Sequence, residues 1–262
     1  MRRKRTAEAL LRLTAGLINT TEIFVLFVLS LAIPLPGITT KDKRAEWSPD
    51  VKKIVDAITP KTIKKALYNL TFHGFVKRMS SLEKARFVIT ELGLEKLAKV
   101  LPIYHTERPW DGHIFLVYYH LLPNAVDKRE QLREFLRSIG CVLVHGGVWL
   151  HPYDKTVEID EFIKCHEIPG SVFISKLTSD GTLGQTDMST MLNTLFNVTN
   201  IADKYAKYIE RYNTKQVMNK FRIAMEYLSI LREDPQLPFP LEPTNFPSKK
   251  ATAIFQSAIR GV

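Results

Sequence analysis

The chain has two cysteines in 262 residues, Cys141 and Cys165, and neither belongs to a CxxC pair. That excludes a disulfide framework and fits a reducing compartment. Long apolar runs are also missing. The stretch Ile23 to Ile33 covers eleven residues, well short of the roughly twenty that cross a bilayer. Backward extension meets Glu22, Asn19 and Arg12, and Pro34 and Pro36 end it. The basic start, Arg2-Arg3-Lys4-Arg5, lies too far from that run for a tidy signal peptide. With Leu10, Leu11, Leu13, Leu17 and Ile18 ahead of it, the segment reads as buried helix.

Catalytic signatures are scarce too. The chain has no phosphate-cradling glycine loop, no GxSxG elbow and no HExxH. Its seven histidines are scattered. His145 and His151 flank a predicted strand, and Cys165-His166 are adjacent, a poor spacing for a metal pair. Gly181-Thr182-Leu183-Gly184 reads as a connecting turn. The expectation is therefore a protein that is not an enzyme, without cofactor or metal site.

What is present is positive charge, unevenly placed. Residues 1–100 hold 19 Lys/Arg against 9 Asp/Glu, whereas residues 101–262 hold 18 of each, so the whole net charge of +10 lies in the first segment. A concentrated positive field favours a polyanionic partner.

Pro, Gly and polar clusters near 102–109 and 178–184 divide the chain into three blocks: 1–101, 110–178 and 186–262. In the first, Ser48-Pro49 opens a helix with Val51, Ile54, Val55 and Ile58 on one face. Thr59-Pro60 opens the next, Lys61 to His73, with Ile63, Ala66, Leu67 and Leu70 together and Gly74 as its stop. Two short helices with an abrupt turn outline a helix-turn-helix. Phe75 to Met79 and Ala85 to Ile89, joined by a polar tip, suggest a hairpin. Thr90-Glu91 opens a further helix whose apolar positions include Leu92, Leu94, Leu97 and Leu101. The sum is a winged helix-turn-helix.

In the second block His113 to Leu121 reads as a strand and Val126 to Ile139 as a helix, with Arg129, Arg133 and Arg137 in a row on one side. Cys141 to Val144 and Val148 to Leu150 read as strands joined at Gly146-Gly147. A helix near Glu158 to Cys165 and a strand near Val172 to Ser175 complete a β-α-β-β-α-β order, that of a ferredoxin-like domain, which is a plausible place for dimerisation. The third block reads as helical to Leu231, then proline-rich from Asp234 to Pro247, with a last helix near Lys250 to Ile259. The fold class is α+β: winged helix-turn-helix, ferredoxin-like middle domain and helical C-terminal domain.

At 100° per residue, Lys61, Lys65 and Tyr68 lie opposite the apolar face of the second helix, with Lys64 beside them and Asn69 at the margin. Such a helix suits the major groove, where lysine meets phosphate or guanine and asparagine can pair with adenine. Lys77, Arg78, Lys84 and Arg86 would charge the wing, and Arg2 to Arg5 would form an arm along the duplex. The Arg129, Arg133, Arg137 row reads as a solvated helix face.

The combination resembles the PaaX family of bacterial transcriptional regulators. The resemblance rests on Ile63-Lys64-Lys65-Ala66-Leu67-Tyr68-Asn69-Leu70 running into His73-Gly74-Phe75-Val76, and on Thr90-Glu91-Leu92-Gly93. Farther on it rests on Trp110-Asp111-Gly112, Arg129-x3-Arg133-x2-Leu136-x3-Gly140, Gly147-x-Trp149-x2-Pro152, Asp234-Pro235-x-Leu237-Pro238 and Leu241-x-Pro243. It implies a cytoplasmic homodimer on palindromic double-stranded DNA, usually a repressor, released in characterised members by an aryl-coenzyme A thioester. No motif in this sequence marks the pocket for such an effector.

The middle block also resembles the small ferredoxin-like subunit of CRISPR adaptation complexes, some relatives of which cleave nucleic acid with an acidic residue ending the first strand. Here that place reads Tyr118-Tyr119-His120-Leu121-Leu122-Pro123, with no carboxylate. The expectation is thus a DNA-binding regulator. The rivals are a metal-dependent nuclease acting near Asp111 and a membrane-surface protein using Arg2 to Arg5 and Ile23 to Ile33.

Overall fold

Thr20 caps the first helix described, α1 (Thr21–Ser30), its side chain accepting from the Ile23 amide at 3.2 Å. The computed structural model describes residues 17–18, 20–31, 60–80, 85–178, 187–213 and 220–260. Every position of α1 from Ile23 to Val28 is buried, which is how a helix apolar all round its circumference behaves in a core. The buried-helix expectation thus describes Ile23 to Val28. Leu17 and Ile18 are buried as well but lie outside any helix, contrary to expectation, and the residues before them fall outside the described set. Among the described residues no helix is long and apolar enough to cross a membrane.

Helix α2 (Pro60–Phe72) opens on proline, whose fixed φ suits a first helical position. It ends in a Schellman motif: Gly74 takes φ +73°, Phe75 N donates to Leu70 O at 2.8 Å, and Gly74 N donates to Thr71 O at 3.1 Å. The chain then turns into an antiparallel hairpin, β1 (Val76–Ser80) and β2 (Ala85–Ile89), with Val76 opposite Ile89 and Met79 opposite Arg86. Thr90 caps α3 (Glu91–Ala98): its hydroxyl accepts from Gly93 N at 3.2 Å and donates to Gly74 O at 2.7 Å. One threonine thus ties the start of α3 to the end of α2. In α3, Leu97 is buried, but Leu92 and Leu94 are 50% and 47% exposed. The expected apolar stripe shrinks to Leu97 and Gly93, because Gly93 itself faces the hairpin: a Cβ there would stand 2.2 Å from Phe75 O. The expected helix from Val51 to Ile58, the Arg2 to Arg5 arm and Lys84 lie outside the described residues.

The central elements follow the order β3 (His113–His120), α4 (Val126–Ser138), β4 (Val142–His145), β5 (Val148–His151), α5 (Thr156–Cys165), β6 (Ser171–Thr178). The strands form one sheet, β4-β5-β3-β6, with every neighbouring pair antiparallel. This is the β-α-β-β-α-β arrangement expected of a ferredoxin-like domain. Strand β6 is twice its expected length, since all eight residues of β3 find partners in it. Helix α5 begins at Thr156, ahead of Glu158, where the Asp154 carboxylate accepts from the Thr156 amide at 2.9 Å. Gly140, at φ +88°, ends α4 as expected, with Cys141 N donating to Leu136 O.

One face of the sheet buries Val117, Tyr119 and Trp149 against Leu132 and Leu136 of α4 and Ile159 of α5. The other buries Ile114 and Leu150 against Met188 and Leu192 of α6 (Met188–Leu195), together with Leu237 and Leu241. The remaining helices are α7 (Val198–Tyr212), α8 (Lys220–Glu233) and α9 (Ser248–Arg260), and a 3-10 turn (Phe239–Leu241) falls in the proline-rich stretch. The described residues thus hold nine α-helices and two small sheets, a mixed α+β structure.

By packing, the chain divides into two units. One comprises residues 1–104, 204–233 and 247–262, and the other comprises 105–203 and 234–246. The helical block expected over 186–262 is therefore shared between them. In the first unit Phe24 and Phe27 of α1 meet Phe221 of α8 edge-on, at centroid distances of 6.2 and 5.8 Å. In the second, buried Arg108 holds the proline-rich return, with Nη1 donating to Leu237 O at 2.8 Å and to Glu242 Oε1 at 2.5 Å.

Candidate nucleic-acid interface

The geometry of α2 follows from its two faces. Ile63, Ala66, Leu67 and Leu70 are each 4% exposed or less, so one face is committed to the core that α1 helps to build. Lys61, Lys64, Lys65 and Tyr68 fall on the opposite, solvent-facing side, Tyr68 at 71% exposure. Residues 60–80 hold five Lys/Arg and no Asp or Glu. Among the described residues, no ion pair engages Lys61, Lys64, Lys65, Lys77 or Arg78. Their charge therefore faces solvent uncompensated, which is what a polyanion with a condensed counterion layer meets most favourably.

On the hairpin, Lys77 and Arg78 are exposed, at register positions opposite Val88 and Phe87. Arg86 stands opposite Met79 on the partner strand. Met79 and Val88 are also exposed, at 57% and 46%. Asn69 is placed differently from the lysines. It is half-buried, and its side-chain amide donates to Glu22 Oε1 of α1 at 3.1 Å. That bond fixes α2 against the buried helix and uses one of the donors an adenine contact would need.

Sequence reasoning overlooked the aromatic end of this helix. Phe72 is 76% exposed and stacks on Tyr68, with centroids 6.5 Å apart and planes inclined by 16°. His73 meets Phe72 edge-on at 5.2 Å, and Lys96 of α3 places Nζ 4.2 Å above the ring of Phe75. The signal was the four-residue spacing of Tyr68 and Phe72, which puts both rings on one helix face. The candidate surface is thus a lysine row continued by exposed rings, next to a hairpin that carries further charge.

Among the described residues no group of three or more His, Cys, Asp or Glu is placed to hold a metal ion. His151 is buried, its pKa lowered to about 4 by desolvation, and its Nδ1 accepts from the Tyr153 amide at 3.0 Å. Burial pushes the Cys141 thiol up to about 12, which keeps it protonated and inert. Both are packing residues of the central sheet.

Comparison with known proteins bears on the central unit most directly. Residues 107–190 match the family model described as the PaaX protein central Cas2-like domain. The solved structure of the uncharacterised protein Rv0674 from Mycobacterium tuberculosis aligns with a TM-score of 0.54, covering 92% of this chain and 95% of that chain at 15% identity. At that identity the likeness is one of fold. No curated protein matches the chain.

Proposed function

We propose that this chain, PaaX-like through its central domain, is a sequence-specific double-stranded DNA-binding transcriptional regulator of the repressor type. In this reading residues 1–101 form a winged helix-turn-helix with α2 as recognition helix and the β1-β2 hairpin as wing. Residues 110–178 form the ferredoxin-like domain through which a homodimer assembles, and the helices after 186 complete the regulator. The single observation that carries the reading is the face of α2: three unpaired lysines and an exposed tyrosine opposite four buried apolar residues. Such a helix can lie in a major groove without giving up its own core contacts.

The protein acts by binding, without turnover, in the cytoplasm. Support for a non-catalytic role comes from the end of β3, where Tyr118-Tyr119-His120-Leu121 supplies no carboxylate. Homodimerisation on an inverted repeat, and release by a small-molecule effector of acyl-coenzyme A type, belong to the same reading and are supported by the family resemblance.

The test is duplex binding over a range of salt concentrations, after selection of bound duplexes from a random pool. An inverted repeat is expected among the selected sequences. Each phosphate contact contributes about −0.9 to the slope of log K against log salt, so K61A/K64A/K65A should flatten that slope by about 2.7. Unchanged affinity and slope in the triple variant would remove α2 from the interface and the reading with it.

A further inference from the structure

The central unit carries a second basic feature that the DNA-binding reading leaves unused. A cavity of about 270 Å³ opens between the end of β3, helix α4 and the β4-β5 turn. Its walls include Tyr118, His120, Arg129, Arg133, Gly146 and Gly147, and no carboxylate lines it.

The two arginines come from successive turns of α4, so their side chains leave the helix on one side. They are incompletely satisfied. Arg129 spends one donor on Leu122 O at 3.2 Å. Arg133 reaches only Glu130, through Nη1 at 3.7 Å, and its Nε is shielded from solvent without a hydrogen-bond partner. Glu130 is shared with Arg137, whose Nη1 lies 3.4 Å from it. One carboxylate therefore serves two guanidinium groups, while Arg129 has none, and the cavity retains positive charge. A shielded guanidinium N–H without an acceptor is costly to maintain.

The opposite wall is open backbone. Gly146 and Gly147 have φ +53° and +93°, and nothing lies within 4 Å of where a Cβ would stand on either. A ligand can approach this turn without meeting a side chain, and glycine is the residue that leaves such access.

We infer that this cavity binds a small ligand through a phosphate-type oxyanion, held by the guanidinium forks of Arg129 and Arg133 against the Gly146-Gly147 turn. Guanidinium geometry favours bidentate contact with such a group. The size of the cavity suits a small anion or the charged end of a larger molecule. This inference does not depend on DNA binding through α2, which lies in the other unit.

The test is calorimetric titration of the full-length chain with inorganic pyrophosphate, at ionic strength held constant with chloride. Saturable binding at one site per chain is expected. It should weaken about tenfold or more in R129Q/R133Q, since hydrogen bonds to charged groups are being removed. K61A/K64A/K65A should bind pyrophosphate as the parent does. R133K retains charge and stem but loses the fork, and it should also bind more weakly; this variant decides the matter if the double glutamine variant fails to fold. Absence of saturable binding, or affinity unchanged in R129Q/R133Q and in R133K, overturns the inference. So does loss confined to the lysine variant, which would put the anion on α2. Duplex affinity that falls in R129Q/R133Q without any pyrophosphate binding would assign these arginines to DNA and overturn it too. Each of these results leaves the lysine test of α2 to be judged on its own.

Discussion

Changing Glu242 to Gln alters one charge and almost no volume, and it strikes the buried group that anchors the proline-rich return. Arg108 and Glu242 are 1% and 10% exposed at the side chain, with Nη1 and Oε1 2.5 Å apart. The guanidinium also donates to Leu237 O at 2.8 Å and His105 O at 3.2 Å, and it lies over the Phe239 ring at 4.7 Å. Glutamine can still accept one hydrogen bond, but the charge attraction between the two buried side chains is lost. Breaking a buried pair from one side costs about 3–5 kcal/mol, and the retained acceptor puts this variant near the lower end, at about 3 kcal/mol. For a chain of this size that corresponds to a fall of roughly 6–12 °C in melting temperature. Because the chain has two units and need not unfold in one step, hydrogen exchange is the better assay. Protection should fall at β3 and β5 while α1 and α8 keep theirs. A cycle with R108M should show coupling of about 1.5 kcal/mol or more, with the double variant recovering part of the loss. A cost below about 1 kcal/mol for E242Q, with coupling below about 0.5 kcal/mol, would mean that the pair does not anchor the segment as argued.

Three further outcomes follow from single sites. G93A should destabilise the first unit by about 1–3 kcal/mol in chemical denaturation, because its Cβ would meet Phe75 O at 2.2 Å; a gain of about 1 kcal/mol, as for alanine at an open helical site, would refute the close approach. His151 is held neutral, with its pKa lowered from 6.5 to about 4. The folded state resists the proton, so its stabilising contribution is full above pH 6.5 and is lost as pH falls toward 4, by about 3 kcal/mol at most. Melting curves of the parent and H151Q should converge over that window, and parallel curves would refute the assignment. Cys165 is exposed and Cys141 buried with its thiol pushed up to about 12. A maleimide should therefore label one thiol per native chain within minutes and a second only after denaturation, counted by mass spectrometry; two fast thiols would contradict the burial.

Much of the local architecture was legible because local chemistry decides it. Pro60 and Gly74 bracket α2, Thr90 caps α3, and Gly140 ends α4, each through backbone geometry or one side-chain bond set within a few residues. The buried face of α2 could likewise be read from the spacing of Ile63, Ala66, Leu67 and Leu70. Leu92 and Leu94 misled because leucine at helical spacing implies a core only if a neighbour arrives to cover it. Gly93 draws the helix onto the hairpin through its own missing side chain, which leaves both leucines outside. Asn69 has its partner, Glu22, 47 residues away, so its role in holding α1 to α2 left no local trace. Arg108 and Glu242 are farther apart still, 134 residues, and nothing near either predicts a buried pair.

The arginine row on α4 shows most clearly where sequence reasoning stops. Arg129, Arg133 and Arg137 at four-residue intervals look equivalent on a helical wheel, and a solvated face accounts for all three. In the structure the end of β3 and the β4-β5 turn meet α4 at only part of that row. They enclose Arg129 and Arg133 in the cavity and leave Arg137 more than half exposed, its Nη1 at 3.4 Å from Glu130 and its guanidinium 5.7 Å from the Trp149 ring centroid. Three like side chains thereby acquire different work: two face a cavity with donors to spare, and the third lies outside it between a carboxylate and an indole. The distinction comes from Gly146 and Gly147, whose positive φ angles turn the hairpin, and no pattern within α4 itself could have disclosed it. It also makes the arginines separable by experiment. R137Q should leave pyrophosphate binding unchanged while R129Q/R133Q weakens it; equal losses in both would return the row to an undifferentiated basic face.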